Sequence, residues 1–216
     1  MAGLGSNPQE TIRLLEELAA NAWPSPVQQQ LEGWKLRAAG GLTRRANSVY
    51  TCAPMPRYPH WLREARRFYA RWGLPTRFQI SDGSPHELED LLDALGYTRE
   101  AHSEVQVAGA ADVVASTAGA EALPVVATSR LEENWLKSFI RVEGHDPALT
   151  DKYRAIMSAI GPEARFAAIT LTGETVGIGM AVTERGWSGL FNIATAPHMR
   201  GRGVATAIVG ELARWS

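Results

Sequence analysis

Apolar residues along the chain recur with two different periods, and the switches between them outline the elements. Asn7-Pro8-Gln9-Glu10 is a full helix start: Asn7 as N-cap, Pro8 at the first helical position, Glu10 placed to close a capping box. Ile12, Leu14, Leu15 and Leu18 give that helix an apolar side, and Trp23-Pro24-Ser25-Pro26 stops it. Strand-like runs follow at Trp34–Ala38 and Asn47–Ala53, joined through Gly40-Gly41 and Arg44-Arg45 as a hairpin-type connection. Trp61, Leu62, Ala65, Phe68, Tyr69 and Trp72 then recur at helical spacing over Pro59–Trp72. The pattern continues as a strand (Thr76–Ile80), a helix (Pro85–Leu95, with Ser84 as N-cap) and a strand (Glu104–Ala108). Ala108–Ala122 is rich in Ala, Gly, Ser and Val with little periodicity, and reads as a linker.

Beyond it the pattern predicts a short strand at Leu123–Ala127 and a helix with Leu131, Trp135, Leu136 and Phe139 on one side. Gly144-His145-Asp146-Pro147 ends that helix and starts another that runs to about Ile160. Asp146 suits an N-cap better than a general base, because Pro147 stands where capping places a proline. Three strands follow, Arg165–Thr172, Val176–Thr183 and Leu190–Thr195, with turns at Gly173 and Gly186, and a helix from about Gly203 closes the chain. Strands in hairpin order feeding a glycine turn and a helix indicate a mixed α/β (α+β) sheet domain.

Composition narrows the function. With 45% hydrophobic residues, 21% charged and a formal charge of -1, the chain is globular and lacks the basic surplus of a nucleic-acid binder. The arginines Arg63, Arg66, Arg67 and Arg71 cluster on one helix, where a solvated face is the simpler reading than an anionic site. Cys52 is the one cysteine and reads as a small buried residue rather than a reactive thiol. No signal segment or membrane span is visible, so a soluble, cytoplasmic protein is expected. The histidines His60, His86, His102, His145 and His198 have no metal-ligand spacing, so no metal is expected.

Chemistry concentrates in Leu190–Thr206, where a strand runs to Pro197, a loop carries Gly201 and Gly203, and a helix begins. The first N–H groups of a helix lack intrahelical partners and lie at its positive end, so they favour an anion. Glycine lets a phosphate approach the backbone, and Arg200 and Arg202 add charge and donors beside it. The third glycine of a dinucleotide fingerprint is missing, and no Gly-Lys-Ser/Thr closes a P-loop.

Arg200-Gly201-Arg202-Gly203-Val204-Ala205 resembles the R/Q-x-x-G-x-G/A signature of the GNAT superfamily, and Leu190–Pro197 is similar to the preceding strand in the ribosomal-protein alanine acetyltransferases. The resemblance implies a mixed, mostly antiparallel twisted sheet flanked by helices. It also implies acetyl-CoA as cosubstrate, with the pantetheine arm on Ile193, Ala194 and Thr195 and the pyrophosphate on Arg200, Gly201, Arg202, Gly203, Val204, Ala205 and Thr206. The acceptor would be a small-molecule or peptide amine, with Glu143 or Asp146 as base. The alternative is a non-catalytic acyl-CoA-binding or interaction module.

Arg77–Ser81, Leu88–Leu95 and Gly96-Tyr97-Thr98-Arg99 resemble the later part of a second such domain. Leu92 stands there in place of the family's frequent acidic Tyr, and no glycine follows Pro54 until Gly73. The expected organisation is two tandem repeats: a degenerate domain over 1–108, a linker over 109–122, and an acetyl-CoA-binding domain over 123–216 that lacks its last strands and helix. Three explanations of the sheet edge so left open stand side by side: the chain is a shortened form, a partner such as a second copy completes the sheet, or the first-half strands do so.

Overall fold

The computed structural model describes residues 7–119 and 122–216, and the chain divides into two units, Met1–Val105 and Gln106–Ser216. In the first, helix α1 (Pro8–Ala22) starts as its sequence dictates, the Asn7 side chain accepting from the Gln9 N–H at 3.0 Å. Strand β1 (Val27–Leu31) was not expected, because Val-Gln-Gln-Gln-Leu has no apolar alternation. It forms because Glu32-Gly33, both at positive φ (48° and 95°), make a tight hairpin to β2 (Trp34–Ala38).

Strand β2 pairs antiparallel with β3 (Val49–Tyr50), and β3 pairs parallel with β4 (Phe78–Gln79). Both are shorter than the apolar runs that announced them. Trp34, Leu36 and Val49, with no exposed surface, pack against α2 (Trp61–Ala70) and α3 (His86–Ala94) through Trp61, Phe68, Leu88 and Leu92. The opposite side of β2 buries a charge: the Arg37 guanidinium donates to the Ser48 carbonyl and hydroxyl and to Gln79, and burial lowers its pKa to about 10. The Tyr69 hydroxyl accepts from the Arg37 backbone N–H, and burial pushes this phenol up to about 12. Cys52 is free and half-buried, and burial raises its thiol pKa.

Three local expectations in this region are corrected. Ser84 does not cap α3, which starts behind Pro85; its hydroxyl is engaged with Ser81 N–H and the Thr51 hydroxyl. Glu104–Ala108 forms no strand, and Val105 is 67% exposed without a ladder partner to bury it. The span 109–122 is not a structureless linker, because α4 (Ala110–Ser116) lies within it. A seven-residue helix is too short to display a period, and α4 is held by packing against α7, described below. Residues 120–121 lie outside the described residues.

The second unit is an antiparallel sheet in the order β5 (Val125–Thr128), β6 (Glu163–Leu171), β7 (Glu174–Glu184), β8 (Trp187–Thr195). Thr172-Gly173 and Arg185-Gly186 join the last three strands through two-residue turns at positive φ. Between β5 and β6 come α5 (Glu133–Glu143) and α6 (Thr150–Met157). Trp135 fixes α5 to the sheet: its ring stacks on Phe139 and meets Phe166 edge-on, and its indole N–H donates to the Ala167 carbonyl at 2.8 Å. The other face carries α7 (Val204–Trp215), whose Ile208 and Leu212 are fully buried. Burial of side chains this size contributes about 1.5–3 kcal/mol each to holding the helix down. Two mostly antiparallel sheets with flanking helices are the mixed architecture expected from the sequence.

Candidate functional site

The site begins with a defect in pairing. Ile178 pairs with Ala194 and Met180 with Phe191, so Gly179 alone faces both Asn192 and Ile193. This β-bulge puts Asn192 at φ 52°, a left-handed conformation that asparagine tolerates better than most residues. Among the described residues β8 has one sheet neighbour, β7, so half of its backbone groups are outside the ladder. The Ala196 N–H donates to the Val176 carbonyl. Because antiparallel pairing alternates, the N–H and C=O groups of Thr195 and Ile193 face away from β7. They form a short row of outward donors and acceptors. Thr195 adds a buried hydroxyl with no hydrogen-bond partner among the described residues.

Strand β8 runs through a turn of 3₁₀ helix, Pro197–Met199, into the loop Arg200–Gly203. Gly201 and Gly203 have φ of 73° and 78°, and a Cβ added at either would meet no atom within 4 Å. The loop therefore bends where only glycine bends readily and keeps its backbone accessible. Gly203 is the N-cap of α7 and has no side chain to offer the helix. The first intrahelical bond is from the Ala207 N–H to the Gly203 carbonyl, which leaves the amides of Val204, Ala205 and Thr206 without helical partners. Arg200 and Arg202 are exposed, and neither forms an ion pair among the described residues. The N-terminal end of this twelve-residue helix thus leaves three amides without helical partners, with Arg200 and Arg202 in the loop before it.

What holds that helix end in place was not legible as a motif. A Cβ on Gly177 would lie 2.3 Å from Val204 and 2.9 Å from Ile208, and one on Gly179 would lie 2.6 Å from both Ile193 and Ile208. The two glycines let α7 sink onto β7. On its outer side Gly210 admits Thr117, just beyond α4, at a distance that a side chain would close to 2.6 Å. Glycines two apart inside a strand were the available signal, since they mark close approach of another element.

The two acidic residues named from sequence fare differently. Asp146 uses its carboxylate to accept from the Ala148 N–H at 2.9 Å, the capping role its Pro147 neighbour indicated. Glu143 is exposed at the end of α5; its charge, second to burial, helps raise the pKa of Tyr153, whose hydroxyl lies 3.0 Å from His145 Nε2. Arg141 of α5 pairs with Glu174 at 2.9 Å, and Glu174 lies 3.8 Å from His198 of the loop before α7. These contacts put the C-terminal end of α5 and the approach to the glycine loop at the same end of the sheet. Among the described residues no group of His, Cys, Asp or Glu is arranged to hold a metal ion, and no helix is long and apolar enough to cross a membrane.

An antiparallel sheet whose last strand passes through a glycine loop into a helix agrees with the fold that the resemblance to the GNAT-type N-acetyltransferases implies. The chain belongs to that class through the family described as "Probable histone acetyltransferase Rv0428c C-terminal", whose pattern it matches over residues 10–216. It is 32% identical over 207 residues to the "Uncharacterized N-acetyltransferase YobR" of Bacillus subtilis, covering 96% of this chain and 83% of that protein. A functionally unknown conserved protein from Staphylococcus epidermidis shares the fold, with a TM-score of 0.54 at 11% identity over 89% of this chain and 79% of its own.

Proposed function

We propose that the second unit binds acetyl-CoA and transfers its acetyl group to a primary amine. The observation that carries this reading is the continuity of one ligand track: the outward backbone groups of Ile193 and Thr195 lead directly to the open loop at Gly201 and Gly203 and the free amides of α7. An extended arm bearing amides suits the strand edge, as an added strand would. A pyrophosphate suits the helix end, where the amides of Val204, Ala205 and Thr206 would hold it between Arg200 and Arg202. Between Pro54 and Gly73 the first unit has no glycine with which to form such a loop.

In the reaction the neutral amine nitrogen attacks the thioester carbonyl carbon, the oxygen takes up negative charge, and the C–S bond then breaks to release CoA thiolate. A backbone N–H of the Ile193–Thr195 stretch would donate to that oxygen. A lysine-type amine has a pKa near 10.4, so only about one molecule in 2,500 is neutral at pH 7, and a proton acceptor is required. Glu143 is the better placed of the two acids named, because Asp146 is committed to its cap. A small molecule or a peptide amine is the acceptor class.

The test is calorimetric titration of acetyl-CoA into the wild type and into Gly203→Trp, followed by an amine screen that reads free thiol. Binding that the substitution abolishes, with thiol release dependent on amine, is the expected result. Binding without release for any amine would make the protein an acyl-CoA-binding module, and tighter binding of ATP or NAD than of acetyl-CoA would overturn the proposal.

A further inference from the structure

We infer that the Asn192 side chain is a second donor to the acyl carbonyl oxygen, an inference that rests on the acetyl-transfer reading above. Asn192 stands at the bulge, one position before the outward backbone groups of Ile193 and three before those of Thr195. An arm laid along those groups from the helix end therefore brings its reactive terminus to this residue. The bulge leaves Asn192 on the face of Met180, the partner of Phe191, and alternation puts Ile193 on the opposite face. Ile193 reaches the α7 face, where its Cδ1 lies over Gly179. Asn192 reaches Met180, which alternation along β7 places on the other face, away from α7.

The bond that Asn192 makes there is a weak one. Its Nδ2 lies 3.3 Å from the Met180 sulfur, and a thioether is a poor acceptor. Met180 is fully buried, so the contact holds the amide in a fixed orientation without consuming much of its hydrogen-bonding capacity. An oxygen that gains negative charge as the amine adds is a far better acceptor, and exchange of sulfur for oxygen is favoured most in the transition state. The backbone alone does not account for the residue. At φ 52° glycine would meet the conformational demand with less strain, yet an asparagine with a loosely engaged amide occupies the position.

Glycine and aspartate variants separate the two roles. Asn192→Gly keeps the left-handed backbone and removes the donor; Asn192→Asp keeps the shape and replaces the donor by an acceptor. With acetyl-CoA and the best amine of the screen, both variants are expected to lose kcat by about 10²- to 10³-fold. The Kd for acetyl-CoA should stay within about threefold, the pattern of an interaction made in the transition state. The infrared C=O stretch of bound ¹³C-labelled acetyl-CoA should rise in both variants, a signature that a purely structural residue would not move. Retention of kcat in Asn192→Gly would overturn the inference and leave Asn192 a backbone residue. So would a loss confined to Kd. Failure of the wild type to bind acetyl-CoA would strike the acetyl-transfer reading itself, whereas normal turnover by both variants would strike this inference alone.

Discussion

Gly177 carries the sharpest mechanical prediction, because a single methyl group there meets the helix whose first amides are proposed to hold the pyrophosphate. The added Cβ would sit 2.3 Å from Val204 Cγ1 and 2.9 Å from Ile208 Cδ1. Carbon atoms rest at about 3.5–4.0 Å, so the Val204 contact alone is short by about 1.2 Å. Val204 is β-branched, 1% exposed and the first residue of α7, so it has little freedom to turn aside. The helix must lift at its N-terminal end. Overpacking of this kind costs about 1–3 kcal/mol, which at roughly 4 °C per kcal/mol lowers the melting temperature of this unit by about 4–12 °C. Gly161→Ala is the matched control: its Cβ would meet nothing within 4 Å, so a change within about 0.5 kcal/mol is expected. Calorimetric melting of the two variants, with acetyl-CoA titration at a temperature where both are folded, reads stability and loop geometry separately. Gly177→Ala should melt earlier and bind more weakly. A variant that melts and binds as the wild type does would refute the claim that close packing on β7 positions the loop.

Other outcomes follow from the same geometry. Arg200→Ala and Arg202→Ala should each weaken acetyl-CoA binding by about ten- to a hundredfold, the worth of a charge-assisted hydrogen bond, with less effect on a pantetheine fragment that lacks the pyrophosphate, as read by calorimetry. Trp135→Phe removes the donor to the buried Ala167 carbonyl and should cost about 1–3 kcal/mol in denaturant melts, with no loss in Asp146→Ala beyond the roughly 1 kcal/mol of a cap. The first unit should be sensitive to alkali. Tyr69 ionises at about 12 when folded and near 10 when unfolded, so the stability it contributes is complete below about pH 10 and is lost as pH rises toward 12, about 3 kcal/mol in all. A tyrosinate absorbance difference between the wild type and Tyr69→Phe that rises with a midpoint near 10 in the folded protein would contradict this.

The elements that sequence disclosed are those with a private signature. Asn7-Pro8 and Asp146-Pro147 name helix starts because capping is local chemistry, and β6 to β8 show themselves because Gly173 and Gly186 punctuate long apolar runs. The loop from Arg200 to Gly203 was legible for the same reason. What stayed hidden depends on partners distant in sequence. Strand β1 has a run of glutamines and owes its existence to β2, and α4 has seven residues and owes its existence to α7. The bulge is invisible in Leu190–Thr195 because it is a property of pairing: nine residues of β8 and eleven of β7 look equally regular until their register is known. Gly177 and Gly179 could have been noticed as anomalies in a strand, but nothing in their neighbours says that a helix passes above them.

The bulge at Asn192 also bears on what the outer side of β8 can pair with. A regular strand with one free side is a template for any other strand, and chains that leave such a side flat tend to polymerise through it. Here the ladder shifts midway along β8, and the edge beyond the shift offers only a few residues in phase before Pro197 ends it. On the acetyl-transfer reading, that stretch has the length for a ligand arm with a few amides. On that reading, the length of the straight segment, rather than any side chain upon it, would set how much of an extended ligand the edge holds.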